Sequence, residues 1–145
     1  MKGRKISSGS FANIDYETRE YNGEHIHIMK VMGPINREHR IPFYYQTLEN
    51  NPSADYFVIL DNRRGHEDNF SYDDMQIVAD ILLDAGIKRI HGAIITREFG
   101  YDNILKLARA VAKVKTLESH TEFSENMTDA ENFILSRIET LARVG

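Results

Sequence analysis

The sequence predicts an α/β domain: a mixed sheet of about five strands, opened by an antiparallel hairpin, with about four helices packed on it. Three observations predict it. Asn22–Gly23 separates two strand-like arms near the start, and both positions of that dipeptide accept the positive φ of a tight turn. Tyr56 to Leu60 is continuously apolar, the composition of a strand covered on both faces. Beyond it, strand-like runs alternate with helical periodicity, which implies parallel neighbours joined by right-handed crossovers.

The elements follow in order. Residues 1 to 10, with Gly3, Ser7, Ser8, Gly9 and Ser10, read as a flexible tail, and residues 11 to 145 as the single domain. Tyr16 to Tyr21 and Glu24 to Met32 form the hairpin; Ile26, Ile28 and Val31 mark its buried face, while His25, His27 and Lys30 are polar. Gly33–Pro34 ends it. A short helix follows, starting near Pro42, with Ile41, Tyr44, Tyr45 and Leu48 inward and Asn50-Asn51-Pro52 as its stop. After the apolar strand, Ser71 and Asp74 form a capping pattern ahead of Met75, Val78, Ile81, Leu82 and Ala85, which recur at helical spacing until Gly86. Ile90 to Thr96 is another buried strand. Ile104, Leu107, Ala108 and Val111 define a further amphipathic helix. Leu117 to Phe123 is a more polar strand suited to a sheet edge. Thr128 and Glu131 read as the capping box of the closing helix, with Ile134, Ile138 and Leu141 facing in.

Composition narrows the function. The 145 residues suffice for one domain with a core. With 41% hydrophobic and 28% charged residues, the chain reads as an ordinary globular protein. No apolar run reaches the roughly 20 residues that cross a bilayer, and the basic start lacks the apolar stretch of a secretory signal. There is no cysteine, which removes disulfides, thiol nucleophiles and cysteine metal sites together and fits a bacterial cytoplasmic location. A net charge of -4 argues against general nucleic-acid binding.

The run "IHIMKVMGPIN" is similar to an early strand ending in Gly before a first helix, and "YFVILDNRRG" to a central strand ending in Asp. "LESHTEFSENMTDAENFI" is similar to a last strand leading into a closing helix. In these stretches, and in the order of elements from Tyr16 to Leu141, the chain resembles the STAS domains. These have the anti-sigma-factor antagonist fold, and the resemblance is to their single-domain SpoIIAA-like branch. The resemblance implies a small mixed sheet with helices packed against it, and recognition of proteins or ligands rather than chemistry. In antagonist members a serine at the start of the helix after the central strand is phosphorylated by a partner kinase. Ser71 has the matching place and is the candidate phosphosite, although the family's Asp-Ser-Ser-Gly signature does not occur here.

The candidate site residues lie at the carboxyl ends of the central strands, where open α/β sheets gather ligands. Arg63, Arg64 and His66 follow the first of these strands, and Thr96, Arg97 and Glu98 the next. Arginine forks suit phosphate or carboxylate, and helix N-termini offer free N–H groups to anions. Against this stands a solvated rim in which the arginines pair with Glu67, Asp68 and Glu98. Ser71 is most simply a helix cap, a role compatible with phosphorylation. His25 and His27 share a strand face but lack a third ligand at a diagnostic spacing, so they read as a wet strand face and no metal is expected. The aromatics Phe43, Tyr44, Tyr45, Phe70 and Tyr72 exceed what one helix face buries; they either line a pocket, form an exposed patch, or simply close the core of a small domain. The expectation is a non-catalytic module, without a cofactor, that recognises a regulatory protein partner or a small anionic or apolar ligand. Peripheral membrane contact and a homodimer through a sheet edge remain open. The alternatives are a hydrolase or transferase using Arg63, His66 and Arg97, and a lipid- or membrane-associated ligand-binding protein.

Overall fold

In a computed structural model, which describes residues 2–96, 106, 109–111, 113 and 115–144, six strands form one sheet in sequence order. β1 (Arg4–Phe11), β2 (Ile14–Tyr21) and β3 (Glu24–Val31) are antiparallel. β3, β4 (Asp55–Asn62), β5 (Arg89–Thr96) and β6 (Glu118–Ser124) run parallel, and β6 takes the predicted edge. The helices are α1 (Arg37–Leu48), α2 (Tyr72–Asp84) and α3 (Met127–Val144). Between β5 and β6, Lys106, Arg109, Ala110, Val111 and Lys113 are helical, while Ile104, Leu107 and Ala108 of the predicted helix lie outside the described residues.

Helices cover both faces, which explains the unbroken apolar run of β4. Tyr56 and Leu60 pack with Met29, Phe43 and Val78 on the α1–α2 side. Phe57 and Ile59 pack with Ile26, Ile134 and Ile138 on the α3 side. Successive strand residues point to opposite faces, so a strand buried on both must be apolar throughout.

Three expectations are corrected. Residues 4 to 11 are a strand, not a tail; seven of its eight residues are exposed, so no apolar alternation announces it. It is held through backbone pairing with β2 and the Ala12–Asn13 turn, whose Ala12 has φ +50°. Gly9 is required there: a Cβ would come within 2.6 Å of the Tyr16 ring. Second, α1 starts at Arg37, five residues before Pro42. The Asn36 side chain accepts the His39 amide at 3.2 Å while His39 Nδ1 accepts the Asn36 amide. That capping box and the burial of Phe43 offset the helical hydrogen bond that Pro42 cannot donate. The inward stripe is therefore Arg40, Phe43, Tyr44 and Thr47, and Tyr45 is 61% exposed. Third, α3 is capped by Asn126, whose Oδ1 accepts the Asp129 amide at 2.8 Å, two residues ahead of the Thr128–Glu131 pattern. Glu131 instead accepts the Lys2 amide at 2.7 Å.

Candidate functional site

The loop after β4 is the sequence-predicted site, and internal bonds specify its shape. Asn62 folds it back: its Oδ1 accepts the His66 amide and its Nδ2 donates to the His66 carbonyl, both at 2.9 Å. Gly65 supplies the positive φ of +71° that this turn needs. Further along, the loop is stitched to the α1 entry, because the Ile35 amide donates to Glu67 O and the Asn69 amide to Ile35 O.

Arg63 of the loop, and Arg40 of α1 beside it, face carboxylates of the same chain. Arg63 Nε and Nη2 donate to Asp61 Oδ1 and Oδ2 at 2.9 and 2.8 Å, in the forked geometry that an anionic ligand would otherwise receive. Asp68 accepts both forks of Arg40, a residue absent from the predicted site. That pair is buried, and the Arg40 guanidinium lies 4.2 Å from the centre of the Phe70 ring. Arg64 is exposed and makes no ion pair among the described residues. His66 Nε2 is buried without a hydrogen-bond partner among them. Thr96 sits beside Asn62 in the sheet, so β4 and β5 do bring the two loop starts together; Arg97 and Glu98 lie outside the described residues. Ser71 is the α2 cap, its Oγ accepting the Asp74 amide at 3.1 Å, and it is exposed.

Behind this loop lies a cleft, two of whose walls, Tyr44 and Phe70, belong to the aromatic set that the sequence offered as a pocket lining. Two small cavities, each of about 100 Å³, share Tyr44, Phe70, Met75, Ile90 and Thr121 as walls between the sheet and α1–α2. Val78, Ala79 and Leu82 of α2 line one, and Arg40 borders the other. The cleft is therefore apolar, with a buried guanidinium–carboxylate pair on its rim. The signal was present: 40, 43, 44 and 47 have the i, i+3, i+4, i+7 spacing of one helix face, visible once α1 is started at Asn36. By contrast, the hollow of about 470 Å³ beside β1–β3 is lined by Lys5, Lys30 and Arg63 against Asp15, Glu17 and Asp61, opposite charges in equal number.

The other end of the sheet holds a buried polar network. Asp55 accepts from Arg89 Nε at 2.6 Å and from His91 Nε2 at 2.8 Å. Arg137 of α3 donates to His91 Nδ1 at 3.2 Å, which fixes the tautomer with its proton on Nε2. Burial pushes the Asp55 carboxyl up, but the Arg89 and His91 hydrogen bonds outweigh it and hold it below the usual range. Burial also lowers His91 and raises Glu24, which accepts from Ser53 Oγ at 2.8 Å. His91 is fully buried with both nitrogens engaged, which leaves none for a substrate proton.

His27 is likewise not on a wet face. It is fully buried and stacked on Tyr56, with 4.8 Å between ring centres. Asn51 Nδ2 donates to two carbonyls, so its Oδ1 faces His27 and accepts from Nε2 at 2.9 Å; Nδ1 then accepts from the Thr18 hydroxyl. Burial lowers its pKa to about 4. Among the described residues no group of three His, Asp or Glu side chains could hold a metal ion, and no helix is long and apolar enough to cross a membrane.

No protein-family model matches the chain, and no curated protein does. Among solved structures it is similar to one described as an uncharacterized protein of the DUF3478 family with a SpoIIAA-like fold, from Shewanella loihica PV-4. The two share 15% sequence identity at a TM-score of 0.53, over 92% of this chain and 98% of that one. This chain has the SpoIIAA-like fold. At such identity the likeness extends to architecture alone. The SpoIIAA-like arrangement here carries the sheet and flanking helices expected from the sequence, with β1 as a sixth strand.

Proposed function

We propose that this SpoIIAA-like domain is a non-catalytic binding module whose ligand is a small, uncharged apolar molecule seated in the cleft between the sheet and α1–α2. One observation carries the reading: two adjoining apolar cavities with five shared wall residues, beside Arg63 of the loop and Arg40 of α1, which already grip Asp61 and Asp68. Apolar cavities of about 150 Å³ stay dry and take benzene-sized guests, and the two compartments together have that scale. An anion at the loop would have to displace Asp61 from Arg63, losing a charge-assisted pair to form a similar one.

The test uses the uncharged dye N-phenyl-1-naphthylamine. The purified chain should bind it saturably with enhanced emission. Ala79→Phe, which fills the cleft from α2, should reduce that binding at least tenfold while circular dichroism stays native. Arg63→Ala should leave it unchanged. Equal binding by wild type and Ala79→Phe would refute the cleft as the site.

A further inference from the structure

We propose that β1 is the pairing edge of a homodimer, in which two copies join antiparallel about a two-fold axis through Gly9. β1 ends the sheet order, so among the described residues one of its backbone edges carries no strand. The registers fix which amides that edge presents. The two-residue turn Ala12–Asn13 makes Phe11 and Ile14 the hydrogen-bonded closing pair. Alternation then directs Gly9 and Ser7 towards β2, and Ser8 and Ser10 outward. The next turn agrees: Asn22–Gly23 makes Tyr21 and Glu24 a closing pair, so Asp15, Glu17 and Arg19 bond β3 while Ile14, Tyr16 and Thr18 are left for β1.

A second copy matches this edge. Rotation about Gly9 sets Ser8 of one chain opposite Ser10 of the other, so the outward N–H and C=O groups of both pairs meet. Gly9 meets Gly9 at a non-hydrogen-bonded position, where backbones come to about 4.5 Å. On one face of that crossing no Cβ intervenes, and the Tyr16 ring already covers each glycine. Edge strands are ordinarily protected by charge, proline or a bulge. Here the protection stops at Arg4, Lys5 and the register shift between Lys5 and Ser7, leaving Ser7 to Phe11 without charge or proline. Arg4 and Lys5 pair within their own chain with Glu20 and Glu17, at 2.8 and 3.7 Å, so in the two-fold arrangement the basic end meets the other copy's Ala12–Asn13 turn with its charge already balanced. What selects a second copy over an unrelated strand is the register itself: Ser8 and Ser10 match each other about Gly9, where a side chain on the opposing strand would meet the close Gly9 crossing.

Sedimentation equilibrium of the full chain tests it. The apparent mass should climb with concentration from 16.7 kDa towards twice that value. Ser8→Pro/Ser10→Pro removes only outward N–H groups, which an edge strand tolerates, so it should stay at the monomer mass with native circular dichroism. The register has its own readout, since the chain has no cysteine. Under mild oxidation a mixture of Ser8→Cys and Ser10→Cys chains should give a covalent dimer and each alone should not, because equivalent Ser8 positions lie beyond disulfide reach. A wild type that keeps the monomer mass throughout, a proline variant that associates as strongly, or efficient linkage of Ser8→Cys alone would each overturn the proposal.

Discussion

Acidification should weaken the fold through His27, and the size of the effect follows from its surroundings. The ring is fully buried, stacked on Tyr56 and bonded at both nitrogens, and its pKa falls from 6.5 to about 4, chiefly through burial. The folded state thus binds fewer protons at this site than the unfolded chain. Stability from this group is complete above pH 6.5 and declines as pH falls towards 4. Linkage gives a loss of about 2 kcal/mol at pH 5 and about 3 kcal/mol at pH 4. Against a total of roughly 5–15 kcal/mol for a domain, that is a large fraction. Asp55 and His91 lose stability in the same direction, and Glu24 opposes them, so the wild-type curve alone does not isolate His27. His27→Gln does, because glutamine does not titrate. Urea unfolding of both proteins between pH 7 and 4 should show the wild type losing about 3 kcal/mol more than the variant. The His27 ring resonances should titrate near pH 4. A parallel pair of curves, or a ring that titrates near 6.5, would refute the buried, neutral assignment.

Other substitutions give separate checks. Ser71→Ala should cost about 1 kcal/mol in chemical denaturation by removing the α2 cap, and leave dye binding unchanged. Thr47 Oγ1 donates to Phe43 O and so accepts from the buried Tyr56 hydroxyl at 2.6 Å. Thr47→Val should therefore cost about 1–3 kcal/mol, much of it recovered when Tyr56→Phe is added in a double-mutant cycle. Ile134→Ala, at a fully buried α3 position, should cost about 2–5 kcal/mol and lower Tm visibly in a thermal melt.

The legible elements were those whose burial writes a pattern. Tyr56 to Leu60 had to be apolar on successive residues, and Ser71 with Asp74 had to supply both halves of a capping box; both could be read directly. β1 left no such mark, because its stability comes from backbone pairing that any side chain permits and from one close contact at Gly9. The start of α1 was displaced because Pro42 reads as a first-turn residue, while the actual cap combines Asn36 with a histidine at the position where glutamate or glutamine is the usual signal. That displacement rotated the helix face and hid Arg40 among surface charges. The partner of Arg63 was hidden for a related reason. Asp61 is the penultimate residue of β4 and Arg63 begins a turn, and only the three-dimensional turn folds the guanidinium back on the carboxylate. Thus the position of the loop was readable, but the internal neutralisation of Arg63 was not.

The proposed site of ligand recognition is the apolar cleft rather than the charged loop after β4. Amide and methyl chemical-shift mapping during titration with N-phenyl-1-naphthylamine tests it most directly. Saturable shifts are expected at Met75, Val78, Leu82, Ile90 and Thr121, with Arg63, Arg64 and Ser71 nearly unmoved. Shifts confined to Arg63 through Ser71, with the cleft methyls unchanged at saturation, would contradict it.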